Sequence, residues 1–294
     1  MSSVISFSRG RSIDLDPWCL MGILNATPDS FSDGGDHLQP EDAVAAGLAM
    51  IEAGASILDV GGESTRPGAE RISVSEQISR VVPVITGLRS QSEVVISVDT
   101  TRKEVAQAAY HAGADLVNDV SAGLEDDGIL DCVAELRMGV ILMHRRVPPS
   151  EDVYSDQYSA PPAYEDVVED VSQFLLARVK AAREAGVDSE CIILDPGLGF
   201  GKSVEQNLEL IRGVDRLSAL GHTVLVGASR KSFIGAVTHV ECPSEREIGS
   251  VCMAVEAWRR GASILRVHTL GIHLQGLLAA RAVDHPKSVP PVKI

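Results

Sequence analysis

The sequence lacks several features that would indicate whole classes of protein. Its 294 residues include only five cysteines, at positions 19, 132, 191, 242 and 252, with no CxxC spacing. An odd, scattered set predicts neither a disulfide framework nor a zinc site, and reduced thiols in a cytosolic protein are the expectation. No run of about 18 apolar residues is present, so we expect no membrane span. The first twenty residues have no unbroken apolar core, so we expect no signal peptide.

Basic residues are also scarce. Lys and Arg number 26 against 41 Asp and Glu, giving a net charge of −15, and binding to nucleic acid is therefore not expected. Composition is otherwise that of a globular protein, with 45% hydrophobic and 23% charged residues. The length fits one α/β domain over residues 1–294, with residues 286–294 predicted as a frayed tail.

Eight short apolar segments each run directly into polar residues, and helical patterns separate them. The segments are 20–25, 57–65, 94–100, 115–121, 139–144, 191–197, 223–232 and 263–268. The helical patterns are 41–53, 74–89, 102–112, 128–136, 164–185, 204–220, 244–260 and 272–282. Eight strand–helix units predict an α/β fold, a (β/α)8 TIM barrel whose active site lies at the carboxyl ends of the strands.

Three features surround the predicted barrel. Residues 4–15 read as a β-hairpin that turns at Arg9-Gly10 and plugs one end. The connections 26–40 and 62–73, after the first and second strands, are long and rich in Gly, Pro, Ser and Asp, which is typical of functional lids. Residues 145–162 carry four prolines and are predicted to be a solvent-exposed insertion.

Polar residues at buried strand ends are the candidates for chemistry. Asp99, Asn118 and Asp195 each follow runs of Val, Ile and Leu, where an unpaired polar group is costly. A strand-end Asp is also a common helix N-cap, and that alternative stays open. The segment 195–203 ends in Gly-Lys-Ser but has Pro196 where a phosphate-binding loop needs glycine, so that motif fails and a simple turn remains possible.

Together these segments resemble the dihydropteroate synthase family over residues 20–270. The resemblance rests on MGILNATPDSFSDGG, DVGGESTRPGA, SVDTTR, NDVSAG, LMH, LDPGLGFGKS, GASRKSFIG and RVH, in that order. It implies an alkyl or aryl transferase of folate biosynthesis, a sulfonamide target. The enzyme would condense 7,8-dihydropterin-6-ylmethyl pyrophosphate with p-aminobenzoate.

The resemblance also implies roles for individual residues. The pterin would be bound by Asp99, Asn118, Met143, Asp195, Phe200, Lys231 and Arg266. The p-aminobenzoate would be bound by Phe31, Thr65, Pro67 and Ser232, and the pyrophosphate by Thr65, Arg66, Arg266 and His268. Asn25 would ligate Mg2+, and the groups closest to the chemistry would be Asn25, Arg66, Lys231, Arg266 and His268. The family's habit further suggests a homodimer, and the reduced thiols suggest a cytoplasmic location.

Two departures from the family pattern stand out. Thr269 replaces the usual Asp after RVH, and Arg145-Arg146-Val-Pro-Pro follows the histidine of strand five. An Asp beside His268 would favour the imidazolium, whereas Thr269 could instead cap the next helix. Two other functions share many of these motifs: a pterin-dependent methyltransferase and a non-catalytic pterin-binding paralogue.

Overall fold

The computed structural model describes residues 3–7, 9–26 and 39–286. The ten strands in this part of the chain are β1 Val4–Ser6, β2 Ser12–Asp14, β3 Cys19–Asn25, β4 Ile57–Gly61, β5 Val95–Asp99, β6 Leu116–Asp119, β7 Gly139–Met143, β8 Ile192–Asp195, β9 Thr223–Val226 and β10 Ile264–Val267. The helices are α1 Pro40–Glu52, α2 Val74–Arg89, α3 Lys103–Ala112, α4 Ile129–Glu135, α5 Val167–Glu184, α6 Val204–Arg212, α7 Val214–Ser218, α8 Ser232–Thr238, α9 Glu247–Arg259 and α10 Leu270–Asp284.

Strands β3 to β10 form a closed, eight-stranded parallel barrel in sequence order. The last strand closes it, because Ile264 of β10 pairs with Cys19 of β3. Alternate strand residues face outward and pack against the helices, as Leu58 and Val60 do in β4. The predicted (β/α)8 barrel is confirmed.

The amino-terminal hairpin closes the barrel at the end opposite the predicted site. β1 and β2 pair antiparallel, and Ile5, Phe7 and Ile13 pack against inward-facing residues near the strand starts, including Ile57 and Val95. The hairpin and the plug that it forms were both predicted correctly.

Some helix boundaries differ from the prediction. The pattern 204–220 is two helices, α6 and α7, separated at Gly213, and the pattern 244–260 begins only at Glu247, after a short 3-10 turn. The seven-residue helix α8 was not predicted, because it is too short to show a helical period. Within the described ranges, no helix has the length and apolar character needed to cross a membrane.

Candidate active site

The carboxyl ends of the barrel strands bring most of the predicted residues together. Asn25 ends β3, Asp99 ends β5, Asn118 lies in β6 and Asp195 ends β8. Strand pairing places Asp99 directly beside Asn118, and Met143 beside Asp195. A parallel barrel presents all of these ends on one face, which is why residues far apart in sequence converge.

Arg266 organises the centre of this face. Its Nε donates to Asp59 Oδ2 at 2.7 Å, and its Nη2 donates to Asp99 Oδ2 at 3.2 Å. Asn118 Nδ2 donates to the same Asp59 oxygen at 2.9 Å. Burial alone would lower the pKa of Arg266, but the two carboxylates outweigh it and raise that pKa, so the guanidinium remains charged.

Asp59 is a site residue that sequence reasoning missed. It is 1% exposed in the middle of β4, and its Oδ1 has no hydrogen-bond partner among the described residues. The available signal was a lone acidic residue between Leu58 and Val60 in an otherwise apolar strand. Burial, and then the negative charge of Asp59, raise the pKa of Asp99 to about 7. The charge of Arg266 opposes this shift.

Asp195 and Lys231 form the second half of the pocket. Asp195 Oδ1 accepts from Gly197 N at 2.7 Å, and burial raises the pKa of this carboxyl, although the charge of Lys231 opposes the shift. Burial lowers the pKa of Lys231 to about 8. The Lys231 ammonium donates to Leu198 O and lies 4.7 Å from the centre of the Phe200 ring. Acceptors, a cation and an aromatic wall thus face one another.

The helix-cap alternative fails for the two strand-end aspartates. Helix α3 has Arg102 at its N-cap with no side-chain bond, and α6 is capped by Ser203, with Gln206 completing a capping box. Neither Asp99 nor Asp195 takes part in these caps, so their burial is not explained by helix capping.

The buried side chain of Lys202 stabilises the glycine-rich turn after Asp195 by hydrogen bonds to its backbone oxygens. This side chain is fully buried, and its Nζ donates to Gly197 O and Phe200 O, both at 2.8 Å, and to His144 O at 3.3 Å. It also lies 3.0 Å from His144 Nδ1. The lysine of the Gly-Lys-Ser segment is therefore committed to the interior, consistent with the failed phosphate-loop motif.

Gly197 shows how closely the turn packs. Its φ is +67°, and an added Cβ would lie 1.9 Å from His144 O. Only glycine fits there, because any side chain would displace the backbone. Burial, and then the charge of Lys202, lower the pKa of His144 to about 2, so this imidazole is neutral.

Positive groups gather around His268. Burial, and then the charges of Arg230, Arg266 and Arg66, lower its pKa to about 3. His268 Nδ1 lies 2.9 Å from Ser229 Oγ. A neutral histidine surrounded by cations marks a place where an anion would be stabilised. A bound anion would also raise the lowered pKa of His268.

The 62–73 connection carries the predicted Thr65, Arg66 and Pro67 and is held by contacts at Gly68 and Arg71. Gly68 N donates to Pro149 O at 2.8 Å. Further on, Arg71 and Arg145 both donate to Glu125, which also accepts from Thr101 Oγ1 at 2.7 Å. Arg66 itself is exposed. The predicted Phe31 and most of the 26–40 connection lie outside the described residues, as does the tail from 287 onward.

Ser232 is buried at the start of α8, where its Oγ accepts from Ser155 N at 3.0 Å. Ser155 belongs to the 145–162 insertion, which was predicted to be solvent-exposed. That prediction was wrong for Pro149, Asp152 and Ser155, all of which are buried against the site.

Thr269 does not cap a helix through its side chain. It precedes α10 at the N-cap position, but makes no side-chain cap bond. Its Oγ1 instead donates to Glu247 Oε1 at 2.8 Å and accepts from Arg230 Nη2 at 3.0 Å. The capping alternative was therefore wrong.

Asn25 is half-buried at the end of β3, and Gly61 of β4 separates it from Asp99 of β5. A Cβ placed on Gly61 would lie 3.7 Å from Asn25 Oδ1 and 3.9 Å from Asp99 Oδ2, so both oxygens border the same point. The described residues contain no group of three or more His, Cys, Asp or Glu that could hold a metal. One amide oxygen suits a Mg2+ that arrives with phosphate oxygens and keeps most of its waters.

Comparison with known proteins places these features in context. Residues 21–268 match the family model described as pterin binding enzyme. A dihydropteroate synthase from Synechocystis sp. is 45% identical over 249 residues, covering 85% of this chain and 84% of that protein.

Solved structures of dihydropteroate synthases are also similar to this chain. The dihydropteroate synthase of Xanthomonas albilineans with 4-aminobenzoic acid superposes with a TM-score of 0.88 at 45% identity, covering 99% of this chain and 100% of that one. The Xanthomonas albilineans structure in complex with 7,8-dihydropteroate gives a TM-score of 0.83 at 43% identity, covering 96% of this chain and 98% of that one.

Proposed function

Because the chain belongs to the dihydropteroate synthase family of pterin-binding enzymes, we propose that it condenses 7,8-dihydropterin-6-ylmethyl pyrophosphate with p-aminobenzoate. The products are 7,8-dihydropteroate and pyrophosphate, and the reaction is a transfer in folate biosynthesis. The observation that carries this proposal is the ring of buried hydrogen-bonding groups at the strand ends, with cations gathered at its rim. A planar polar ring would bind to the buried groups, and a departing anion would bind separately, at the cations on the rim.

The buried groups match the edge of a pterin. Asp195 Oδ1 is already committed to Gly197 N, and a carboxylate has further lone pairs to accept from a ring N–H and the exocyclic amine. Asn118 and Asp99 face the neighbouring edge, and Lys231 donates to a ring carbonyl. Phe200 and Met143 supply apolar walls. Arg266 is fixed by two carboxylates, so its plane is set before the substrate arrives.

The reaction proceeds by dissociative displacement. The bond between the pterin methylene carbon and the pyrophosphate oxygen breaks first, and its electron pair leaves with pyrophosphate. The amine nitrogen of p-aminobenzoate then bonds to the cationic carbon and loses a proton. Arg66, Arg266 and His268 stabilise the leaving anion, and the 62–73 connection would help to exclude water. No covalent nucleophile of the protein is needed.

Mg2+ is part of the proposal. Asn25 Oδ1 would hold it beside the pyrophosphate, where the metal would neutralise phosphate charge. Thr65, Pro67 and Phe31 would border the p-aminobenzoate ring. The Ser232 hydroxyl would donate to its carboxylate.

A cytoplasmic homodimer completes the proposal. Helices α9 and α10 pack together and expose several large apolar side chains, Ile248 at 82%, Leu278 at 50% and Val283 at 74%, and these two helices would supply the dimer surface. All five cysteines are free, as expected for a reducing compartment. Sedimentation of the wild type and of Ile248→Arg tests the dimer, which the variant should weaken.

Direct assay tests the function. Purified protein with Mg2+ and both substrates should form dihydropteroate, and a sulfonamide should inhibit it by competing with p-aminobenzoate. A methyltransferase or a non-catalytic paralogue would release no pyrophosphate.

Asp195→Asn should weaken pterin binding by at least about tenfold, because the amide presents a donor to ring N–H groups. Asp131→Asn, on the exposed face of α4, is the matched control and should bind normally. Unchanged affinity in folded Asp195→Asn would remove this residue from the pterin site.

A further inference from the structure

The 145–162 insertion reaches both halves of the site through buried hydrogen bonds. Its Ser155 is 3% exposed and donates its backbone N–H to Ser232 Oγ at 3.0 Å. Ser155 Oγ in turn accepts from Asn207 Nδ2 at 3.0 Å. Asn207 is fully buried, and its Oδ1 accepts from Gly199 N at 2.6 Å in the glycine-rich turn. An unbroken series of hydrogen bonds therefore runs from Ser232 to the turn that carries Phe200.

A second contact from the insertion fixes the same turn. Asp152 is 6% exposed, and its Oδ2 accepts from Gly201 N at 2.8 Å. Its other oxygen accepts from the Tyr158 hydroxyl, also within the insertion. The insertion is anchored beyond these points, because Gln206 Nε2 donates to Pro162 O at 2.7 Å. A segment held at several places can transmit a small displacement from one site to another.

The direction of the first bond matters for Ser232. A serine hydroxyl has one hydrogen to donate and two lone pairs that accept. Because the Ser155 N–H occupies a lone pair, the Ser232 hydrogen is left to donate to an incoming carboxylate. In a buried network each bond also polarises the next, and an unmade bond leaves a costly unpaired group.

We propose that Ser155 is a positioning residue that couples the p-aminobenzoate side of the site to the pterin side, through Ser232, Asn207 and the glycine-rich turn. The inference rests on the proposed function, since it takes the carboxylate of p-aminobenzoate as the group at Ser232. Coupling of this kind is reciprocal, so a pterin that orders the turn favours p-aminobenzoate, and p-aminobenzoate favours the pterin to the same degree.

The test compares Ser155→Ala with Ser159→Ala. Both remove a hydroxyl from the same insertion, but Ser159 is exposed. Asn207 Nδ2 keeps its bonds to Lys202 O and Ser203 O, so Ser155→Ala should retain its fold, which thermal melts monitored by circular dichroism will show. In Ser155→Ala the KM for p-aminobenzoate should rise about fivefold while kcat changes less than about twofold.

A second measurement needs no substrate. Hydrogen–deuterium exchange of peptides covering 196–203 should be faster in Ser155→Ala than in Ser159→Ala, because the bond series to Gly199 N has lost one member. If the wild type forms dihydropteroate but Ser155→Ala matches Ser159→Ala in either KM or exchange, the coupling is overturned and the proposed function stands. A fall in kcat as large as the rise in KM would also overturn it, by showing general disruption of the site. If the wild type forms no dihydropteroate, the proposed function itself fails, and the inference fails with it.

Discussion

Replacing Lys202 with methionine isolates the effect of a buried charge beneath the glycine-rich turn. Methionine has nearly the same length but no ammonium group, so the acceptors that Lys202 now serves lose their donor. That loss destabilises the fold, whereas removal of a fully buried charge stabilises it. The two effects oppose each other at any single pH. The dependence of the difference on pH reports the charge of Lys202, including its interactions with neighbouring charged groups.

The magnitude follows from the shifted pKa. Burial lowers the pKa of Lys202 to about 7, against about 10.4 in an unfolded chain. Below about pH 7 both states hold the proton, and the full cost of burying the charge applies. Between about 7 and 10.4 the unfolded state binds more protons than the folded state, so wild-type stability rises with pH. From about pH 6 to about pH 8.5 this contribution amounts to roughly 2 kcal/mol.

Urea unfolding at several pH values across that range measures the effect. The free energy of unfolding of the wild type should gain about 2 kcal/mol relative to Lys202→Met as the pH rises. Lys231 is present in both proteins, and its charge is one of the causes that lower the pKa of Lys202, so the difference includes the interaction between these two lysines. Lys180→Met is the control, because Lys180 is exposed on α5, and it should follow the wild type. Parallel stability curves for wild type and Lys202→Met would refute a neutralised, buried lysine.

Three further substitutions test other parts of the network. Asp59→Asn keeps the volume but removes the charge that fixes Arg266, so calorimetry should show pterin affinity lowered about tenfold; unchanged affinity would contradict this role. Thr269→Asp brings a second carboxylate against Glu247 but also against Arg230, and these two effects offset each other, so we expect less than about 1 kcal/mol change in stability and no gain in kcat at any pH, whereas a higher kcat would restore an electrostatic role for this position. Glu125→Gln should make the loss of stability in acid less steep. Burial would raise the pKa of Glu125, but its hydrogen bonds lower that pKa to about 2. The wild type therefore loses the stabilisation from the charged Glu125 carboxylate as the pH falls from about 4.3 toward 2, whereas the variant has none to lose.

The sequence predicted the barrel well because periodicity and strand-end chemistry are local signals. Asp99 and Asp195 stood out as polar residues after apolar runs, and the parallel fold explains their meeting. Asp59 escaped notice because it lies within a strand. Its importance comes from Arg266, more than 200 residues later, and no local pattern records that contact.

Burial of polar segments was the harder feature to predict. The insertion reads as exposed because it is polar and rich in proline, yet Asp152 and Ser155 are buried where they satisfy backbone groups of another loop. The break at Gly213 was missed because apolar spacing continues into α7. Lys202 could be excluded from a phosphate loop, but its partners became visible only in three dimensions.

Closure of the barrel between β10 and β3 has a consequence for synthesis of the chain. Ile264 cannot pair with Cys19 until the chain has emerged from the ribosome beyond residue 264, so β3 lacks this neighbour while the seven strands that follow it are being made. The contact of Trp258 with Pro17, where the indole nitrogen donates at 2.7 Å, forms equally late. Unpaired strand edges favour aggregation, and contacts between distant residues form slowly. The nascent enzyme is therefore most vulnerable to aggregation just before its last strand arrives.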